Sequence, residues 1–244
     1  MNTGKLIEQC LNIVYPRRCP LCGEIVSKED GKACSNCYKQ LKKISEPKCK
    51  CCGKSIETME KEYCFDCDRK EFYFEMGFSL WDYSTKMKKS IAMFKYHNRQ
   101  EYADFYGEEF VKEFGERIIE LEPDVLVPVP IHWTRYIQRG YNQAELIAKK
   151  IGDALNIPVV DDILVRTKKT TAQKNLDNKE RSRNMEGAFA IGKQWKNQCS
   201  ALKKVVIIDD IYTTGSTINT CAKLLREKGV AEVYFGVLCI GKGY

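Results

Sequence analysis

The sequence lacks any hydrophobic segment long enough to cross a membrane. Its 244 residues contain no apolar run of the roughly 18 residues that a transmembrane helix requires. Residues 1–18 have neither a long apolar core nor a small-residue cleavage site, so we expect no signal peptide. These absences predict a protein that does not insert into the membrane.

Two widespread catalytic devices are also missing. The glycine-containing turn at residues 213–217 lacks the Gly-Lys-Ser/Thr sequence of a Walker A loop. No Ser-His or Cys-His pair for nucleophilic attack is evident. The chain has two histidines, His97 and His132, for which we expect structural or phosphate-facing roles.

Cysteine, in contrast, is abundant and concentrated in one part of the chain. There are thirteen cysteines, and ten of them lie at or before residue 67. A disulfide framework is typical of exported proteins, and no export signal is visible here. The cysteines therefore indicate a local device such as a metal site.

Eight of these cysteines form four Cys-x-x-Cys pairs with eleven residues between successive pairs. The pairs are Cys19/Cys22, Cys34/Cys37, Cys49/Cys52 and Cys64/Cys67. Eight thiolates in pairs match two Cys₄ zinc sites of a double zinc ribbon, and redox thiols or an iron–sulfur cluster are the alternatives. We expect the first pair to join the second and the third to join the fourth, although the spacing also allows interleaving. Cys51 can compete with Cys52 as a ligand.

We expect these zinc ions to be structural. A fully thiolate-ligated zinc leaves no open position for water, and metal binding gives a small segment the free energy to fold. The cysteines stop and aromatic residues take over near residues 68–76. We therefore predict an N-terminal helix and zinc-ribbon domain over residues 1–72 and a second domain over residues 73–244.

The second domain alternates predicted strands and helices. Strands are expected at 76–82, 124–130, 157–165, 184–189 and 233–240, and helices after Ser84 and over 100–120 and 143–155. In the first of these helices Met87, Ile91 and Phe94 are expected to face inward and Lys86, Lys88, Lys89 and Lys95 outward. Residues 131–143 are expected to form a basic loop.

One stretch combines a strand, two acids and a hydroxyl-rich turn. The four β-branched residues 205–208 are too few for a helix and indicate a strand buried on both faces of a parallel sheet. Asp209 and Asp210 follow, and the turn at 213–217 precedes an amphipathic run with Gly229 as its C-cap. A turn at a helix N-terminus presents N–H groups and hydroxyls to an anion, and the carboxylates can hold a diol or a hydrated Mg²⁺.

Residues 205–217 resemble the phosphoribosyl pyrophosphate (PRPP) signature of type I phosphoribosyltransferases. The further residues that carry a family resemblance are the cysteine pairs, the sequence FKYHNR at 94–99 and the stretches 126–148 and 166–189. With these residues, the chain resembles the ComF family of competence proteins over nearly its whole length. The resemblance implies an α/β fold of the type I phosphoribosyltransferase class. Such a fold has a central parallel sheet flanked by helices, with a hood, and here it follows a small zinc-ribbon domain.

The resemblance also implies a site, residue by residue. Asp209 and Asp210 match the catalytic acids that meet the ribose hydroxyls of PRPP, with Mg²⁺ bridging. The 5′-phosphate turn corresponds to Thr213, Thr214, Gly215, Ser216 and Thr217. Arg135 and Arg139 are placed to face the pyrophosphate, and residues 166–183 match the mobile hood loop.

The same resemblance implies a cytoplasmic protein of natural transformation that binds single-stranded DNA beside a helicase-like motor. The net charge of +7 permits a polyanionic partner, and basic clusters lie at 39–54, 86–99 and 166–183. Tyr83 and Trp133 are available for base stacking. The DNA-binding candidates are Lys88, Lys89, Lys95, Tyr96, Arg99, Lys174, Arg181 and Arg183.

Two other interpretations stay open. The chain can be an active phosphoribosyltransferase of nucleobase salvage, although no base-reading segment is recognisable after Ile218 and salvage does not need a zinc module. The zinc ribbons can instead dock the motor protein, which is compatible with DNA binding. Solvated surface is the plain alternative for each basic cluster.

Overall fold

The computed structural model describes residues 16–27, 30–168 and 187–241. Its helices are α1 (Ser35–Lys39), α2 (Phe65–Asp68), α3 (Thr85–Tyr96), α4 (Tyr102–Leu121), α5 (Trp133–Arg139), α6 (Gln143–Leu155) and α7 (Ser216–Glu227). Its strands are β1 (Met76–Asp82), β2 (Val125–Pro128), β3 (Leu164–Arg166), β4 (Phe189–Ile191), β5 (Lys204–Tyr212) and β6 (Glu232–Ile240). The N-terminal helix expected before residue 15 lies outside the described residues.

The central sheet is parallel, with strand order β1-β6-β5-β2. In β5, Val205 and Ile207 pack in the core on one side of the sheet, and Val206 and Ile208 pack on the other. All four side chains are at most 1% exposed. The prediction of a strand buried on both faces is confirmed.

Helices cover both faces of this sheet. Helices α3, α4 and α6 contribute Phe94, Phe110 and Ile147 to the core that holds Val206. Helix α7 contributes Leu225 to the opposite core. A parallel sheet between two helical layers is the predicted fold class, and it brings the carboxyl ends of β2 and β5 to one edge.

A small antiparallel pair, β3 and β4, lies beside the central sheet with Leu164 opposite Ile191. The sequence predicts one strand over 157–165, but Val159 forms only an isolated bridge to Leu126 and the chain bends at 161–163. The Trp195 indole donates to Asp162 at 2.7 Å and holds this bend. Strand β4 likewise begins at Phe189, where the predicted strand ends. The predicted hood loop falls largely on residues 169–186, which lie outside the described residues.

Helix α5 occupies the segment predicted to be a basic loop. Its first turn is capped by His132, whose Nδ1 accepts from the Thr134 N–H at 3.3 Å, and it ends at Gly140, which has φ +81°. None of its residues is buried. The sequence does not predict this helix, because a helix with no buried face has no apolar stripe in its sequence.

The predicted zinc-ribbon module, whose described part begins at residue 16, packs against the edge strand β1. The Gly77 N–H and the Ser79 hydroxyl donate to the carbonyl oxygens of Cys51 and Cys52, each at 2.8 Å. An isolated bridge between Lys43 and Trp81 adds a second attachment. The module thereby covers a sheet edge that is otherwise open to pairing with another chain.

Within the described part of the chain, no helix combines the length and apolarity needed to cross a bilayer.

Candidate functional site

Two clusters of four cysteines form the candidate metal centres. Their sulfur atoms lie within 4.8 Å of one another in each cluster. The clusters are Cys19, Cys22, Cys34 and Cys37, and Cys49, Cys52, Cys64 and Cys67. The expected sequential arrangement of the pairs is confirmed, and Cys51 belongs to neither cluster.

The sulfur spacing fits zinc. The Sγ atoms of Cys22 and Cys34 are 3.8 Å apart, and those of Cys52 and Cys64 are 3.7 Å apart. A tetrahedron of sulfur atoms about 2.3 Å from a zinc ion has edges of about 3.8 Å. Zinc bound here would hold each ribbon together and leave no open coordination position.

The lysines of the zinc module are largely engaged in ion pairs. Lys43 lies 2.6 Å from Glu113 on α4, and Lys54 lies 3.0 Å from Asp66. Lys48 and Lys50 pair with Glu46 and Glu62. The basic cluster at 39–54 is therefore partly neutralised by Glu46 within that stretch and by acids outside it, which weakens its case as a nucleic-acid surface.

The acid pair lies at the carboxyl end of β5, where Asp210 is buried and Asp209 half-buried. The Lys95 ammonium lies 2.5 Å from Oδ2 of Asp210, with its side chain 20% exposed. The expected outward orientation of Lys95 is therefore wrong, and its contact with DNA stays a prediction. Lys95 is in the last turn of α3, from which its long side chain reaches the sheet edge.

Asp209 has an unusual electrostatic environment. Burial, and then the charge of Asp210, raise its pKa to about 7, although Lys95 acts in the opposite direction. The Asp210 N–H donates to Oδ1 of Asp209 at 2.8 Å. The pair is thus held together at one edge of the sheet, and Asp209 titrates near neutral pH.

The turn after β5 has the form of an anion site. Gly215 has φ +78°, and a Cβ there would lie 2.3 Å from the Tyr212 hydroxyl, so only glycine fits. The hydroxyls of Thr214 and Ser216 are 3.0 Å apart, and α7 begins at Ser216. Thr213 and Thr217 complete the predicted phosphate turn. The first turn of α7 therefore begins beside these hydroxyls, and the N–H groups at a helix N-terminus favour an anion.

A cleft of about 310 Å³ adjoins this turn. Its lining from the zinc-module side is Lys70, Glu71 and Phe72, and from the turn and α7 it is Thr214, Gly215, Ser216, Asn219 and Thr220. The Tyr73 N–H donates to the Asn219 side chain at 2.8 Å and fixes the connection. The segment at residues 70–72 thus forms one wall of the cleft beside the turn.

Three arginines approach the acid pair. Arg139 donates to the Gln143 side chain at 2.7 Å, and its guanidinium lies 4.8 Å from the Tyr96 ring centroid. Burial and then the charge of Arg135 lower the pKa of Arg166, while Asp209 acts to raise it. Arg166 therefore lies close enough to both Arg135 and Asp209 to interact with their charges. Sequence reasoning missed Arg166 because it read the residue only as the start of a polar segment.

An exposed aromatic surface borders these arginines. Trp133 and Tyr136 on α5 are 64% and 49% exposed, and Tyr96 at the end of α3 is 59% exposed. Sequence reasoning missed Tyr136 because helix α5 was not recognised. We call Tyr96, Trp133, Arg135, Tyr136 and Arg139 the aromatic–arginine surface.

The other DNA-binding candidates are spread more widely. Lys88 and Lys89 are exposed on α3, and Lys88 lies 5.4 Å from the Tyr83 ring centroid. Arg99 pairs with Glu101 at 3.5 Å. The remaining candidates, Lys174, Arg181 and Arg183, lie outside the described residues.

Comparison with known proteins matches both parts of the chain. A family model for a double zinc ribbon domain matches residues 10–68, and a phosphoribosyl transferase domain model matches residues 138–243. Competence protein F of Haemophilus influenzae is 32% identical over 208 residues, covering 82% of this chain and 86% of that protein. The fold class predicted from the sequence is confirmed.

Two further relatives extend the comparison. Competence protein ComFC of Bacillus subtilis is 28% identical over 216 residues, covering 84% of this chain and 82% of its own. DNA utilization protein YhgH of Escherichia coli is 29% identical over 179 residues, covering 72% of this chain and 77% of that protein.

Proposed function

This chain belongs to the ComF family of competence proteins, and we propose that it binds single-stranded DNA during DNA uptake. In this proposal the protein works in the cytoplasm beside a helicase-like motor. Its phosphate turn takes PRPP or a related phosphorylated ribose. Relatives named as competence and DNA utilization proteins support a role in DNA handling.

The observation that carries the proposal is the aromatic–arginine surface. Helix α5 has no buried residue, yet it carries Trp133 and Tyr136 with Arg135 and Arg139. Single exposed apolar residues are common, but several of them together on one short helix are typical of an interaction site. Proteins bind single strands by stacking bases on such rings and by contacting the phosphates with cations, which is the combination present here.

Equilibrium binding of a labelled oligothymidylate, followed by fluorescence anisotropy, tests this surface. We expect the double variant Trp133→Ala/Tyr136→Ala to bind at least about tenfold more weakly, because each stacked base contributes about 1–3 kcal/mol. Ile119→Ala is the matched control, because Ile119 is also exposed but lies on α4. Equal affinity of the double variant and the wild type would contradict the proposal.

An active phosphoribosyltransferase is the second candidate function. The phosphate turn, the carboxylate of Asp209 and the nearby arginines favour it, because together they can hold a phosphorylated ribose and stabilise leaving pyrophosphate by charge. Pyrophosphate release from PRPP, measured with each nucleobase, tests it against an Asp209→Asn/Asp210→Asn variant. Release that depends on one base and on the acids would support catalysis, whereas no release with any base would leave a binding role.

The proposal gives the zinc ribbons a role in docking the motor protein. Lys43, Lys50 and Lys54 are paired with acids of the same chain, so a docking role for the motor protein fits the ribbons better than DNA binding.

A further inference from the structure

The contact between Lys95 and Asp210 changes what the acid pair can bind. The ammonium and the carboxylate are 2.5 Å apart, and their side chains are only 20% and 9% exposed. A charge pair this far from water is held by its partner, because separating the two leaves a buried charge without compensation. Asp210 is therefore committed to Lys95.

A committed Asp210 makes the pair a poor site for a divalent cation. Mg²⁺ is held by carboxylate oxygens whose negative charge offsets the loss of its water ligands. Here the Asp210 carboxylate is already neutralised by the Lys95 ammonium. Arg139 adds a second positive charge nearby, which acts to lower the pKa of Lys95. A Mg²⁺ ion at this pair would be repelled by the Lys95 ammonium, whereas two unpaired carboxylates would attract it.

The same geometry suits a vicinal diol without a metal. An ammonium has three N–H donors, and Asp210 uses one of them. The remaining donors of Lys95 would then be available to a ribose hydroxyl oxygen, and an oxygen of Asp209 could accept from the neighbouring hydroxyl. Burial works to lower the pKa of Lys95, but Asp210 outweighs it and raises that pKa, so the ammonium keeps its charge at neutral pH.

We propose that Lys95 replaces the divalent cation at this acid pair and binds the hydroxyls of a 5-phosphorylated ribose directly, so that binding needs no Mg²⁺. This inference rests on the ligand named in the proposed function. It concerns the ribose part of the ligand, and the phosphate turn at 213–217 would hold the 5-phosphate.

Titration calorimetry with ribose 5-phosphate tests this inference, in a buffer that contains Mg²⁺ and in a buffer freed of divalent cations over a chelating resin before the protein is added, so that the bound zinc is not removed. For the wild type we expect the same affinity in both buffers within about twofold. We expect 2-deoxyribose 5-phosphate to bind at least about tenfold more weakly, because one charged hydrogen bond is lost. Binding by the wild type that requires Mg²⁺, or equal binding of the two sugars, would overturn the inference.

The variant Lys95→Met adds a second measurement. It removes the charge and keeps the side-chain length, so we expect binding to weaken at least about tenfold in the buffer without divalent cations and to recover when Mg²⁺ is added. Lys89→Met, an exposed lysine on the same helix, is the control and should match the wild type. A folded Lys95→Met protein that Mg²⁺ does not restore would overturn the replacement. Should this variant fail to fold, the wild-type titrations decide alone.

Binding of oligothymidylate by the same preparation separates the two proposals. Mg²⁺-dependent sugar binding with intact DNA binding would overturn the role of Lys95 and leave the proposed function standing. Absence of sugar binding in both buffers would overturn the inference together with the ligand part of that function. Absence of DNA binding with metal-independent sugar binding would overturn only the DNA part.

Discussion

The Tyr141 hydroxyl donates to the backbone carbonyl of Phe94, the residue just before Lys95. This bond ties the segment after α5 to the last turn of α3. Two sequence motifs that are far apart in the chain, 94–99 and 126–148, therefore meet at one point beside the acid pair. The bond fixes the end of α3 from which Lys95 reaches Asp210.

Replacing Tyr141 with Phe should destabilise the protein. The variant leaves a buried carbonyl without its donor, which costs about 1–3 kcal/mol of unfolding free energy. Urea denaturation measures this loss. Tyr136→Phe is the control because Tyr136 is exposed, and it should leave the unfolding free energy unchanged within about 0.5 kcal/mol. Equal stability of Tyr141→Phe and the wild type would contradict the role of this bond.

Asp209 should make stability depend on pH near neutrality. Its folded pKa of about 7 lies above the ordinary 3.8, so the folded state favours the protonated acid. Its contribution is therefore fully present below about pH 4 and is lost as the pH rises through about 7.

The variant Asp209→Asn cannot lose a proton, and it isolates this contribution. We expect its unfolding free energy, relative to that of the wild type, to be higher at pH 8 than at pH 5.5. Denaturation at the two pH values measures the difference, and both proteins carry the same cysteine clusters, so acid effects on zinc cancel. A relative stability that does not change with pH would contradict the raised pKa.

The cysteine clusters predict two zinc ions per chain. Cys34→Ser should lower the zinc content to about one ion per chain, because a cluster that has lost a thiolate cannot complete its tetrahedron. Elemental analysis by mass spectrometry measures this ratio. Cys51→Ser should keep two ions, since Cys51 belongs to neither cluster. A single zinc in the wild type would show that one cluster does not bind metal.

Glycine at position 215 should be required for phosphate binding. An alanine there is both strained by φ +78° and placed 2.3 Å from the Tyr212 hydroxyl. Gly140 is the matched control, because it has φ +81° with nothing within 4 Å of an added Cβ. Both alanine variants carry the strain of about 1–2 kcal/mol for a left-handed residue, but only Gly215→Ala should also lose ribose 5-phosphate binding in calorimetry. Wild-type affinity in Gly215→Ala would contradict the placement of the phosphate turn.

Much of the central sheet could be predicted from the sequence. Strand β1 and helix α6 match their predicted bounds, and β5 differs from the predicted buried run only at its ends. These elements have a strong local signal, because four β-branched residues or an amphipathic period decide the structure without help from distant contacts. The cysteine spacing likewise predicts the clusters, since each pair is local.

The predictions that failed have two causes, a helix without a buried face and side chains whose partners come from distant segments. Helix α5 has no buried face, so no periodicity reveals it. Lys95 follows the polar pattern of α3, and only the three-dimensional meeting of α3 with β5 shows that it pairs with Asp210. Arg166 joins the site for the same reason, since the position of β3 beside the acid pair has no signature in its own segment.

The most direct test of DNA binding is the salt dependence of oligothymidylate affinity for the wild-type protein. If cations of this chain contact the strand, the logarithm of the association constant should fall linearly with the logarithm of the salt concentration, by about 0.7 for each phosphate contacted. We expect a slope that reflects several contacts, together with measurable binding at low salt. No binding at low salt, or an affinity that does not change with salt, would contradict a DNA-binding function.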